Sequence, residues 1–217
     1  MYSTGYHSNL GLGHATFLVY ELLDNTSFPH HSIETVLDVG CSHGKAVKQL
    51  WEGGLHANGV DISTVAIALA NKARRAGMRC VASFPCFQAA AASALPFPDR
   101  SFDAVLSSDV LEHVETNEVS KVVAELARVT TKLILLKIAS GPSTEGAGSE
   151  LRKLKGKGLA VPDNLHLTQK PSAFWIAAFE KVGFALHHRL EDHAHMTWIK
   201  RFPHMCWCAA MGLDPRP

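Results

Sequence analysis

The stretch TVLDVGCSHGKAVKQL, Thr35 to Leu50, constrains the fold more than any other part of the chain. β-favouring apolar residues run into a glycine-containing turn, and the turn runs into a helix. A short buried strand feeding a helix in this way is the building unit of an α/β sheet. A turn of this kind also holds cofactors. A dinucleotide loop reads G-x-G-x-x-G, but counted from Gly40 the third and sixth positions hold Ser42 and Lys45, so that fingerprint fails. What remains is an acid before the turn (Asp38), Gly40, the small residue Ser42 and Gly44.

Further along, strands alternate with helices. Gly13 to Leu23 reads as a helix broken by NTSFPHHS, where Pro29 punctuates. Thr35 to Val39 is the first strand, followed by a helix from Lys45 to about Gly53. HANGVDIS is a second strand ending at Asp61, and Thr64 to Ala76 is an Ala-rich helix closed by Gly77. MRCVASF reads as a weaker third strand and SFDAVLSSD as a fourth. VSKVVAELARVT is an amphipathic helix, and KLILLKIAS a continuous apolar strand of the buried kind. SAFWIAAFEKVGF is a last helix closed by Gly183, and ALHHRLE and HMCWCAAMG offer two final strands.

The pattern predicts a doubly wound, Rossmann-like α/β sheet. It should be mostly parallel with an antiparallel last strand, and covered by helices on both faces. Residues 1–217 form one domain, with an N-terminal helix or cap over 1–30 and a lid-like insertion over 140–171. Tyr2, Tyr6 and His7 are placed to fold over the pocket, against a default of a frayed terminus.

Composition narrows the function classes. With 47% hydrophobic and 19% charged residues and a net charge of +1, nothing global calls for a polyanion or a membrane, although a local patch suffices for nucleic acid. No signal-peptide pattern opens the chain, and no apolar run reaches the roughly 18 residues of a membrane span. The five cysteines lack C-x-x-C spacing, so reduced thiols in a cytoplasmic protein are expected. Thirteen histidines, among them His187, His188, His193 and His195, raise a metal question. No H-E-x-x-H or Cys/His ligand set accompanies them, and no metal is expected.

In a doubly wound sheet the ligand lies at the carboxyl ends of the strands, near the switch point. Asp38, Gly40, Ser42 and Gly44 end the first strand. Asp61 ends the second, where a carboxylate can accept both hydroxyls of a ribose. SSDVLEHV, Ser107 to Val114, leaves the fourth, where a substrate would meet the cofactor. These segments resemble a known family. VLDVGCSHGKAV, GVDIS, LPFPDRSFDAVLSSDVLEHV and VAELARVTTKLILLKI together look like class I S-adenosylmethionine-dependent methyltransferases, in the branch of ubiquinone-biosynthesis and sugar O-methyltransferases. The resemblance covers about Thr35 to Ala139.

The resemblance implies S-adenosyl-L-methionine as cofactor. Asp38, Gly40, Cys41 and Ser42 would approach its amino-acid end and Asp61 its ribose. Ile62 would pack on the adenine, and Ser108 would line the methionine side. Where the family places an adenine-binding Asp, this chain has Ala91, and the backbone of Ala92 is left to serve. A lost hydrogen bond of this kind is worth about 0.5–1.5 kcal/mol.

The expected activity is in-line methyl transfer to an oxygen, or less readily a nitrogen, of a small molecule or sugar. A hydroxyl acceptor needs a base titrating near neutrality, and His113 in LEHV and His166 in NLHLTQKPSAFW are the candidates. Each has a plain structural alternative: His113 holding the cofactor loop, His166 capping a loop, and Trp175 anchoring a helix in the core. Two other readings stay open. One is an RNA or protein methyltransferase using Arg152, Lys153, Lys155 and Lys157, and the other a non-catalytic cofactor-binding scaffold. After the fourth strand the chain reads Ser108-Asp109-Val110-Leu111, not the Asn-Pro-Pro-Tyr-like tetrad of amino-nitrogen methyltransferases. The oligomeric state is not encoded in any motif.

Overall fold

A computed structural model describes residues 18–19, 22–23, 33–74, 77–139, 165–189 and 211–215. Its elements are β1 (Thr35–Val39), α1 (Lys45–Glu52), β2 (His56–Asp61), α2 (Thr64–Lys72), β3 (Phe87–Ala89) and β4 (Phe102–Ser108). A 3-10 turn (Leu111–His113) follows, then α3 (Val119–Val129), β5 (Thr130–Lys137), α4 (Ser172–Glu180), β6 (Phe184–Arg189) and β7 (Met211–Pro215). The strands form one sheet in the order β3-β2-β1-β4-β5-β7-β6. β1 to β5 are parallel, and β7 runs antiparallel between β5 and β6. From β1 the chain steps outward to β2 and β3, then returns to β4 on β1's other side. The switch point therefore lies at the carboxyl ends of β1 and β4.

Side-chain alternation explains why the central strands read as unbroken apolar runs. Leu37, Val39, Val105, Ile134 and Leu136 face one way, into a core closed by Leu126 of α3 and Trp175 and Phe179 of α4. Val36, Ala104, Leu106, Leu133 and Leu135 face the other way, against Val47 and Leu50 of α1 and Ile67 of α2, with Leu18 packed alongside. Both faces are buried, so neither needs polar residues. Each such Leu or Ile contributes about 1.5–3 kcal/mol by leaving water.

Several expectations need correction. The third strand is not Met78 to Phe84 but Phe87–Ala89. Residues 79–86 do run beside β2, but the side chain of Asn58 does part of the pairing. Its Oδ1 accepts from Val81 N at 2.9 Å and its Nδ2 donates to Pro85 O at 2.9 Å. Pro85 has no N–H for a ladder, so regular pairing starts only after it. Cys80 and Cys86 are joined by a disulfide across this loop, against the expected reduced thiols, while Cys41 is free and buried. Six residues of separation carry no recognised motif, and only the Asn58-held loop brings the two sulfurs together.

The helix expected to reach Ala76 ends at Lys72. The final strand is Met211–Pro215, further along than HMCWCAAMG suggests. Tyr2, Tyr6, His7, the basic residues 152–157, most of the 140–171 insertion, His193, His195, Cys206 and Cys208 lie outside the described residues.

Candidate functional site

Gly40 and Gly44 shape the turn after β1. Both have positive φ, +84° and +82°, which glycine adopts without strain. A Cβ at Gly40 would overlap the Val110 side chain, and one at Gly44 would come within 2.5 Å of the Phe87 ring. The turn is thus pressed between the segment after β4 and the first residue of β3.

The turn spends its donors on the protein itself. Gly40 N and Cys41 N both donate to Val60 O, at 2.8 and 2.9 Å, and Gly44 N donates to Cys41 O at 2.8 Å. Ser42 N donates to Asp61 Oδ2 at 2.8 Å. A phosphate-binding loop instead points such N–H groups at its ligand. Four N–H groups of the turn are thus turned away from any pyrophosphate.

Two acidic side chains stand at this end of the sheet. Asp38 is 3% exposed, and no described residue donates a hydrogen bond to its carboxylate. Burial, with the Asp61 charge nearby, pushes its pKa up to about 8. Asp61 accepts Ser42 N with Oδ2 and Ser63 N with Oδ1, the latter also at 2.8 Å. Two backbone bonds leave lone pairs on both oxygens. Ile62 beside it is 69% exposed, an apolar side chain offered to something flat. Two carboxylates at the ends of neighbouring strands suit a cationic ligand with hydroxyl groups.

Beyond β4, Ser107 Oγ donates to Val39 O at 3.1 Å and ties the two strand ends at the switch point. Ser108 Oγ donates to Asp109 Oδ2 at 2.9 Å. Asp109, itself at φ +55°, receives Lys137 Nζ on both carboxylate oxygens at 2.7 Å. In the 3-10 turn Glu112 is wholly buried. Its Oε1 accepts Ala139 N at 3.1 Å, Oε2 has no partner, and burial together with the Asp109 charge raises its pKa to about 8.

His113 Nδ1 lies 3.0 Å from Leu165 O, and the His113 and His166 rings meet edge to face with centroids 5.0 Å apart. Thr168 fastens this return segment to the turn. Its N–H donates to Glu112 O at 3.0 Å and its Oγ1 to Val114 O at 2.7 Å.

Residues 37–133 match a family model described as a methyltransferase domain. A 27-O-demethylrifamycin SV methyltransferase from Amycolatopsis mediterranei is 29% identical over 137 residues, 61% of this chain and 50% of that protein. The chain thus spans about half the length of that curated relative. Among solved structures, a magnesium protoporphyrin IX methyltransferase from Synechocystis PCC 6803 with bound SAH superposes with a TM-score of 0.61. It is 19% identical and covers 98% of this chain and 84% of that one. Residues 37–133 thus resemble a methyltransferase domain, and the chain's fold is that of the S-adenosylmethionine-dependent methyltransferases. Its fold alone does not fix the chemistry: the cyclase SpnF superposes with a TM-score of 0.62 at 15% identity, over 92% of this chain and 81% of that one.

In this methyltransferase fold the sequence-predicted residues divide by how they are used. Asp38, Gly40, Ser42, Gly44 and Asp61 gather around the turn after β1. Cys41 contributes backbone only. Its thiol donates to Ser42 O at 3.6 Å, lies against Gly59, and is pushed up in pKa first by burial and then by the two aspartates. Ala91 and Ala92 sit in the loop after β3, half-buried. Ser108 stands beside Asp109, and the two candidate histidines, 53 residues apart in sequence, are in contact. Trp175 is a core residue, as its plain structural reading has it. Sequence reasoning assigned no role to Glu112 or to the Asp109–Lys137 pair. Glu112 carried a signal, a carboxylate adjoining a candidate base, but its burial did not show.

Proposed function

We propose that this chain transfers a methyl group from S-adenosylmethionine to an oxygen of a small molecule or sugar. The observation that carries the reading is the buried Asp38 carboxylate, to which no described residue donates a hydrogen bond, beside a turn in which the N–H groups of Gly40, Cys41, Ser42 and Gly44 are spent within the protein. Such a site refuses a phosphate and accepts a cation, and it fits the cofactor's amino-acid end. Asp61 would hold the ribose hydroxyls with its remaining lone pairs, Ile62 would cover the adenine, and the Ala92 backbone would face its edge. Ser108 would border the methionine side. The cofactor supplies a methyl group already activated on sulfur, so the chain's task is alignment, which can contribute roughly 7–11 kcal/mol.

An acceptor hydroxyl would lose its proton at the His113–His166 pair. We favour His166, which follows β5 in the chain and meets the His113 ring edge to face. The rifamycin relative methylates an oxygen by its name, which supports an oxygen acceptor here.

The test is incubation of the purified chain with methyl-labelled cofactor and fractionated cell extract. Label in small molecules supports the reading. Label confined to RNA or protein overturns the acceptor class, and binding without any transfer leaves a scaffold.

A further inference from the structure

We propose that Glu112, His113 and His166 bind one divalent transition-metal ion, through which an acceptor with two neighbouring oxygens is held. One ligand atom from each of the three lies within 4.8 Å of the others. Around an ion with bonds near 2.1 Å, donor atoms sit roughly 3–4 Å apart, so small side-chain rotations complete the set.

Three features favour an ion over a plain hydrogen-bonded cluster. Glu112 Oε2 is fully buried without a partner, and among the described residues Trp175 Nε1 alone shares that state. The other oxygen, Oε1, is held by Ala139 N, which fixes the carboxylate's orientation. Finally, Leu165 O can only accept, so a neutral His113 ring carries its proton on Nδ1 and its lone pair on Nε2. A backbone carbonyl on one ring nitrogen is the usual support of a metal-binding imidazole.

Charge and donor type then select the ion. Two imidazoles and one carboxylate suit zinc, manganese, iron or cobalt better than magnesium or calcium, which prefer all-oxygen shells. Lys137, the cation nearby, is already engaged by Asp109 and does not repel the ion unopposed. Three protein ligands leave coordination positions open to an acceptor. With the ion bound the two imidazoles are ligands and not bases, so this route replaces proton transfer to His166: a hydroxyl bound there becomes acidic, its O–H bond breaks, and the proton passes to solvent water. The metal-binding half stands independently of the proposed function; the acceptor half rests on it, because both place the acceptor at these histidines.

The experiment uses full-length protein freed of metal with a chelator. Cobalt(II) is titrated while its visible absorption is followed, and zinc(II) is then added in competition. One equivalent should bind, and Glu112→Gln and His166→Ala should each weaken it at least about 10-fold while the melting temperature of the metal-free protein stays close to that of the unmodified chain. Should either variant fail to fold, the other carries the comparison. Absence of stoichiometric binding, or equal binding in both variants, overturns the site. Methyl transfer that persists in metal-free protein overturns the role in holding the acceptor and leaves the proposed function intact. Metal binding without any methyl transfer does the reverse.

Discussion

Asp61 joins two segments through a single carboxylate: Oδ2 accepts the N–H of Ser42 in the turn after β1, and Oδ1 accepts the N–H of Ser63 at the start of α2. A residue assigned to a ligand is thus also a clamp. Asp61→Ala should lower folding stability by about 1–3 kcal/mol, since two part-buried backbone donors lose their acceptor. It should weaken cofactor binding by about 1.5–3 kcal/mol. Denaturant melts and calorimetry measure the two separately. If binding falls with stability unchanged, the clamp is idle.

Asp38 should make the protein pH-dependent. Its folded pKa of about 8 stands above the unfolded value near 4, so between them the folded state holds a proton that the unfolded state has released. Stability of the cofactor-free chain should fall as pH rises from about 4 to about 8 and level off above. Cofactor affinity should move the opposite way, rising towards pH 8 as the carboxylate ionises to meet an ammonium group. Asp38→Asn should flatten both profiles in melts and calorimetry run at several pH values.

Gly40→Ala meets two obstacles at once, a φ of +84° and the Val110 side chain. We expect a loss of about 1–3 kcal/mol from strain and overpacking. The melting temperature reports it. Val110→Ala in the same chain should recover the packing part and leave the backbone part.

His166→Ala should lower turnover by roughly 10²-fold or more with cofactor affinity nearly unchanged. His113→Ala should do the same and also free Leu165 O, so its melting temperature should drop further. Steady-state kinetics on the acceptor found by labelling, beside calorimetry, check both. Full activity of both variants would refute the acid–base assignment.

Much of the fold was legible because its signals are local. β4 and β5 carry apolar runs that end on polar residues, and α1 and α3 show the spacing of a one-sided helix. Asp38 and Asp61 stood out because each lies at or next to the end of a strand. The third strand was misplaced because MRCVASF is apolar enough, while β2 holds that segment partly through the side-chain amide of its own Asn58, whose reach no period reveals. The Cys80–Cys86 bridge follows from that same loop. His113 and His166 could be named as candidates separately. Their contact depends on Thr168 returning the chain to Glu112 and Val114, a tertiary fact with no local trace.

Arg128 on α3 donates to Leu95 O, Phe97 O and Asp99 Oδ1, and it pairs with Glu125, whose other oxygen accepts Leu95 N. The connection between β3 and β4 contains no helix or strand, yet one side chain grips it at three points. This makes the wall beside Ala91 and Ala92 preorganised. Its ordering is completed when the chain folds, so a ligand resting there forfeits little further entropy, and an Arg128→Ala protein should bind that ligand with a larger entropic penalty at similar enthalpy.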